Sequence, residues 1–285
     1  MSLLVFGKTG QVATELAARA PDAVFLGRET ADLSDPAACA AAIEAHRPTA
    51  VINAAAYTAV DRAEEEEALA HTVNADAPGA MARACAGLGI PLIHISTDYV
   101  FDGTGEAPRA TTDPVAPQNA YGRSKLAGEE AIAQAGGVFA VLRTSWVFSA
   151  HGANFLKTML RLSESRDALS IVDDQIGGPT PAADIAAACL AMAGQMRDDP
   201  GKTGIYHFSG APDVSWKAFA ETIFEMAGRD VAVHGIPTAD YPTPAARPLN
   251  SRLDCALTET VFGITRPDWQ LGVGSVLKDL GVTGA

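Results

Sequence analysis

Short, largely apolar runs alternate with helix-length segments through the first half of this 285-residue chain. Leu3 to Phe6, Ala23 to Leu26, Ala50 to Asn53, Pro91 to Ile95 and Val138 to Leu142 have the length of strands. Their continuity suits strands covered on both faces, and strands separated by helices pair in parallel. The segments between them, such as Pro36 to His46 and Ala63 to Ala86, are Ala-rich with polar interruptions, as amphipathic helices are. The expected class is therefore α/β, with a doubly wound parallel sheet over residues 1–145. After about residue 145 the pattern is broken by prolines from Pro179 to Pro248. Residues 146–285 read as mainly a smaller α/β C-terminal lobe, with some segments returning to the sheet. No internal repeat is visible.

Composition narrows the function classes. With 48% hydrophobic and 19% charged residues the chain reads as a soluble globular protein, and a formal charge of −13 argues against nucleic acid or an anionic membrane as the main partner. A phosphorylated small molecule stays compatible, because a few local N–H groups hold a phosphate. Cys39, Cys85, Cys189 and Cys255 lie far apart without metal-ligand spacing, so they read as buried small hydrophobes in a reducing cytoplasm. No run is long enough to span a bilayer. The N-terminus lacks a basic region and enters a glycine loop directly, which reads as a strand and not a signal peptide. The run Glu64 to Glu67 reads as a solvated helix face.

Two motifs carry chemistry. Gly7-Lys8-Thr9-Gly10-Gln11-Val12-Ala13 follows the first strand and opens a helix. Gly7 permits the tight turn and Gly10 lets the backbone approach a pyrophosphate at the helix N-terminus. No GK[ST] follows at Walker spacing, so the loop points to a dinucleotide and the sheet to a Rossmann-like fold. The second strand ends at Arg28, where an arginine accommodates the 2′-phosphate of NADP. That tilts the cofactor toward NADPH, while the adjacent Glu29 keeps NADH open.

The second motif is Tyr121-Gly122-Arg123-Ser124-Lys125, a phenol and an ammonium four residues apart. On a helix both lie on one face. A cation about 5 Å away at an effective dielectric of about 20 stabilises a phenolate by roughly 3 kcal/mol, lowering the tyrosine pKa by about two units. The pair suits protonation of a developing alkoxide. Thr97, ending the strand Pro91 to Thr97, sets a hydroxyl at the sheet's carboxyl edge, where open α/β sheets bind ligands.

A glycine turn after strand one, a strand-end Ser/Thr and a downstream YxxxK resemble the extended short-chain dehydrogenase/reductase superfamily. Within it the strings GKTGQV, NAAAYTAVD, STDYVFDG, YGRSKLAGE, RTSWVF, DDQIGGPT and YPTPAARPLNSRLD, spread over nearly the whole chain, are similar to the dTDP-4-dehydrorhamnose reductases. The resemblance implies reduction of the C4 keto group of dTDP-4-dehydro-L-rhamnose by hydride from NADPH or NADH. It implies Thr97, Tyr121 and Lys125 as catalytic residues, with Tyr121 the proton donor and Lys125 also holding the nicotinamide ribose. Gly10, Gln11 and Val12 match the family's pyrophosphate turn, Asp32 and Leu33 its adenine contact, and Ala56, Tyr57 and Thr58 its inner cofactor wall. Thr97, Asp98 and Trp146 match positions facing the nucleotide sugar, and Arg247 and Asn250 lie in its RPxNS segment. An indole at Trp146 would pack on the apolar face of a deoxysugar, and Arg247 would set a planar cation against the diphosphate.

No catalytic metal is implied. Some family members form a Mg²⁺-linked homodimer through glutamates; Glu15 matches one position, but Ala183 stands where another is expected, with Asp184 beside it. A dehydratase of the same scaffold carries an Asp-Glu pair after the threonine, where this chain has Asp98-Tyr99. An epimerase and a non-catalytic NADP-binding regulatory subunit are the remaining alternatives.

Overall fold

The computed structural model describes residues 2–282. The first half runs β1 (Leu3–Phe6), α1 (Gln11–Arg19), β2 (Val24–Leu26), α2 (Pro36–His46), β3 (Ala50–Asn53), α3 (Glu67–His71), α4 (Ala77–Leu88), β4 (Leu92–Thr97), α5 (Ala120–Ala135) and β5 (Phe139–Thr144). The second half runs β6 (Val147–Phe148), α6 (Phe155–Ser163), β7 (Ala168–Val172), β8 (Ile176–Gly177), β9 (Thr180–Pro181), α7 (Ala182–Asp198), β10 (Gly204–His207), β11 (Val214–Ser215), α8 (Trp216–Met226), β12 (Ala232–Ile236), β13 (Asn250–Ser251), α9 (Ala256–Phe262) and α10 (Trp269–Asp279).

All five expected strands form, and β10 joins them in a six-stranded parallel sheet ordered β10-β5-β4-β3-β1-β2. The order reverses between β1 and β3, so the crevice beyond their carboxyl ends is where a doubly wound sheet binds its ligand. One face, carrying Leu3, Val5, Ile52 and Ile93, is covered by α1 and α7. The other, carrying Leu4, Phe6, Val51, Leu92 and Val141, is covered by α2, α4 and α5. Residues beyond 145 thus return to the sheet as α7 and β10. The rest build a second core around Phe148, Leu156, Phe219, Phe224 and Trp269, between α6, α8, α10 and the parallel pair β7/β12.

Local chemistry sets the helix limits. Asp35 accepts from Ala38 N and Pro36 stands at the first turn of α2, while Asn119 accepts from Gly122 N at 2.7 Å and opens α5. The segment Ala63 to Ala86 differs from the single helix expected. It contains a 3₁₀ turn at Arg62–Glu64, then α3, a π turn at Thr72–Asp76 and α4. Pro78 has no N–H to give the carbonyl of Asn74, and α5 passes close by: a Cβ on Gly128 would sit 2.0 Å from Asn74 O. The helix widens there and turns the Asn74 amide inward. The glutamate run is largely exposed, as expected of a solvated face, and also makes specific contacts. Glu64 accepts from Ala120 N, Glu66 accepts from the Tyr57 hydroxyl, and Glu67 pairs with Arg123, because the chain folds this run against the start of α5. None of the described helices is long and apolar enough to cross a membrane.

Candidate active site

The glycine loop sits at the switch point. Gly7 has φ +108°, and a Cβ there would stand 3.2 Å from the Ala54 carbonyl group, so β1 and β3 meet closely enough only with glycine. Gly10 is exposed and opens α1 with no side-chain cap, leaving the N–H groups of Gln11, Val12 and Ala13 without helical acceptors. A cradle of free donors at a helix N-terminus fits the pyrophosphate of a dinucleotide. The Gln11 side chain has a different task. Its Oε1 accepts from Ser149 and Asn154, both at 2.9 Å, tying α1 to the segment after β6.

Around this loop, Arg28 is 88% exposed and only loosely paired with Asp32 at 3.9 Å, and Lys8 reaches Glu29 at 3.4 Å. Both are exposed ion pairs at the surface. Asp32 accepts from Ser34 N, which holds its carboxyl below the usual range, and Leu33 is buried beside it. Ala56 and Thr58 are exposed after β3, while the Tyr57 backbone is clamped by both ends of the Asn74 amide. The cofactor positions Gly7 to Val12, Arg28 to Leu33 and Ala56 to Thr58 thus follow the adjacent strands β1, β2 and β3.

Thr97, Tyr121 and Lys125 converge at the carboxyl end of β4 and the start of α5. Thr97 donates to Asp98 Oδ1 at 3.1 Å and accepts from Tyr99 N at 3.2 Å. Burial raises the Asp98 carboxyl to about 6, and its Oδ2 has no hydrogen-bond partner. Desolvation pushes the Tyr121 phenol up to about 12, opposed by the Thr97 hydroxyl and reinforced by Asp98. Lys125 is 1% exposed; burial brings its ammonium down to about 8, against the pull of Glu129. Its Nζ donates to Ile95 O at 2.6 Å and lies 3.1 Å from His94 Nε2.

This geometry differs from the sequence expectation in one respect. The spacing puts Tyr121 and Lys125 on one helix, but the lysine reaches into the sheet and makes no hydrogen bond to the phenol. A buried ammonium needs acceptors, and the Ile95 carbonyl at the strand end supplies one. The tyrosine pKa rises instead of falling.

The expected substrate positions make contacts of their own. Trp146 adopts a left-handed backbone (φ +50°) and its indole stacks on Trp216, centroids 3.6 Å apart and planes 11° apart, so one ring face expected to meet the sugar is covered. Trp146→Ala should lower the melting temperature, since an aromatic pair contributes about 0.5–1.5 kcal/mol beyond its buried area. A variant melting with the parent protein would make the stack dispensable. Arg247 donates to Asp61 Oδ2 at 2.8 Å and to Ala245 O at 3.0 Å. Asn250 is buried, donating to Ala107 O and accepting from Arg252, which leaves its amide to shape the loop. Glu15 pairs with Arg19 at 2.5 Å and His151 at 3.2 Å; among the described residues no group of three or more His, Cys, Asp or Glu is placed to hold a metal ion.

Sequence motifs did not reveal the polar groups behind the site. Glu129 continues the Tyr121, Lys125 stripe of α5 and binds Arg143 of β5 through contacts of 2.6 to 3.1 Å, with both side chains nearly inaccessible. Ser96 also donates to Glu129, and the Arg143 guanidinium lies 5.0 Å over the Phe101 ring. The i+8 position of Glu129 was a signal; its partner on β5 was not readable. Asn53 and His94 are paired in the β3/β4 register, and their side chains meet at 3.1 Å.

A parallel doubly wound sheet with free helix donors at its switch point, and a Thr/Tyr/Lys set beside it, defines a Rossmann-like dinucleotide-dependent oxidoreductase. The family described as RmlD substrate binding domain matches residues 1–282. A dTDP-4-dehydrorhamnose reductase of Sinorhizobium fredii is 47% identical over 279 residues, covering 95% of this chain and 94% of that one. The crystal structure of a dTDP-4-dehydrorhamnose reductase from Clostridium acetobutylicum superposes with a TM-score of 0.92 at 33% identity, covering 99% of this chain and all of the other. That of the Bacillus anthracis enzyme in complex with NADP gives 0.90 at 32%, covering 98% and 100%. The chain belongs to the dTDP-4-dehydrorhamnose reductase family.

Proposed function

We propose that this protein reduces the C4 keto group of dTDP-4-dehydro-L-rhamnose to give dTDP-L-rhamnose, using NADPH in preference to NADH. The observation that carries the reading is the convergence of Thr97, Tyr121 and Lys125 beside a glycine loop whose helix N–H groups have no acceptor. A bound nicotinamide supplies the hydride that reduces the carbonyl carbon. As negative charge grows on the carbonyl oxygen, Tyr121 donates its phenolic proton to it. With a pKa near 12 the phenol is protonated throughout the neutral range, and an alkoxide is the stronger base, so the transfer runs downhill.

Thr97 orients the oxygen, and its single proton is shared with Asp98. Ser251 stands beside the buried Asp98 carboxyl and helps hold its pKa down, and Asp98 Oδ2, with no well-formed hydrogen bond of its own, is placed to accept from a sugar hydroxyl. In its protonated form Lys125 places positive charge one turn below the phenol and binds the cofactor's ribose. Arg247 exchanges Asp61 for the diphosphate. The partner is a soluble nucleotide sugar and the reaction belongs to the cytoplasm. With NADPH deuterated at the transferred position, the product should carry one deuterium at C4; label anywhere else, or none, contradicts the mechanism.

Arg28 tests the choice of cofactor. Arg28→Ala should raise KM for NADPH roughly ten-fold or more through loss of a charge-assisted contact, with NADH almost unaffected. Equal effects on the two cofactors would place the guanidinium outside the phosphate site.

A further inference from the structure

His94 lies behind the reacting groups, 1% exposed, between two side chains that ordinarily donate. Its Nδ1 is 3.1 Å from Asn53 Nδ2 and its Nε2 is 3.1 Å from Lys125 Nζ. The Asn53 amide is fixed from its other end, because Oδ1 accepts from Ala55 N at 3.2 Å. Reversing that amide would set its NH₂ against the Ala55 N–H. Nδ1 is therefore the acceptor, and a neutral imidazole with an acceptor at Nδ1 carries its one proton on Nε2. That N–H points at Lys125 Nζ, where an ammonium offers only donors and an amine offers a lone pair.

We propose that His94, oriented by Asn53, is a positioning residue for the reduction: its Nε2–H receives the Lys125 amino group in its neutral form while Ile95 O accepts one of that group's hydrogens. The inference rests on the proposed reductase reading for its purpose. The lysine beside the proton donor then changes charge close to working pH, and the network has a partner for its uncharged state. Burial lowers both groups, His94 well below its ordinary value and Lys125 to about 8, with each other's company adding to the effect on His94. The charge facing Lys125 is Glu129 on its own helix, itself paired with Arg143 of β5, whereas Asp98 acts on the neighbouring Tyr121.

Two measurements test it. In ¹⁵N-histidine-labelled protein without cofactor, His94 should be the Nε2–H tautomer, and its ¹⁵N shifts should move as Lys125 titrates near pH 8, a step absent from Lys125→Met. In the pH profile of kcat/KM, His94→Phe keeps the ring volume but removes the donor that favours the amine. The alkaline limb should then move up by about one pH unit, the equivalent of one hydrogen bond. His94→Gln, whose amide can present N–H to Lys125, should return the limb toward its original position. A Nδ1–H tautomer, or a limb that His94→Phe leaves in place, overturns the proposal, and the spectrum of the unmutated protein decides if that variant fails to fold. Absence of keto-sugar turnover alongside the expected tautomer and titration would instead refute the reductase reading and leave the His94–Lys125 coupling standing.

Discussion

Tyr121→Phe is expected to lower kcat by at least about 100-fold while NADPH affinity and the melting temperature stay close to those of the parent protein. The substitution removes one oxygen and keeps the ring, so the edge-to-face contact with Tyr99, centroids 5.5 Å apart, survives. What disappears is the only group in the Thr97/Tyr121/Lys125 set that is both protonated at neutral pH and on the exposed side of the cluster. Lys125 cannot replace it, since its amino group is directed at Ile95 and His94. Thr97 cannot either, since its proton is shared with Asp98. Single-turnover measurement of nicotinamide oxidation separates the chemical step from binding. Turnover within a few-fold of the parent would reassign the acid.

Glu129→Ala carries the largest expected cost in stability. It strips Arg143, 3% exposed, of its carboxylate and leaves a buried guanidinium with the Phe101 ring and His207 as its remaining neighbours. Removing one member of such a pair costs about 3–5 kcal/mol, because the surviving charge is left uncompensated. Replacing both members with apolar residues of similar size, as in Glu129→Leu with Arg143→Met, should recover a large part of that loss. Denaturant midpoints of the single and double variants test this. A single variant within about 1 kcal/mol of the parent would show that water reaches Arg143 after all.

The two cases mark where sequence reading succeeds and where it stops. β1, β3, β4 and β5 were legible because strands buried on both faces are continuous apolar runs, and α2 because Asp35-Pro36 announces its start. The glycine loop and the Tyr121/Lys125 stripe were legible because each is local, set by spacing on one element. What spacing could not give was the direction of a side chain. Lys125 turns toward β4 because the Ile95 carbonyl lies there, and that depends on where α5 crosses the sheet. Asn53 with His94, and Arg143 with Glu129, are brought together by strand register and helix packing across 41 and 14 residues. Trp146 was expected to offer a face to the sugar, and the Trp216 that covers it comes from a helix start 70 positions later. The break in the segment Ala63 to Ala86 follows the same rule, since the close approach of Gly128 belongs to α5.

The central claim is that this site performs a reduction of a nucleotide keto sugar, and the direct test is nicotinamide absorbance with purified protein, NADPH and dTDP-4-dehydro-L-rhamnose. The account predicts NADPH oxidation that depends on the keto sugar, stoichiometric with dTDP-L-rhamnose formed and abolished by Tyr121→Phe. NADPH binding without keto-sugar-dependent oxidation would contradict it and leave a nucleotide-binding protein in place of an enzyme.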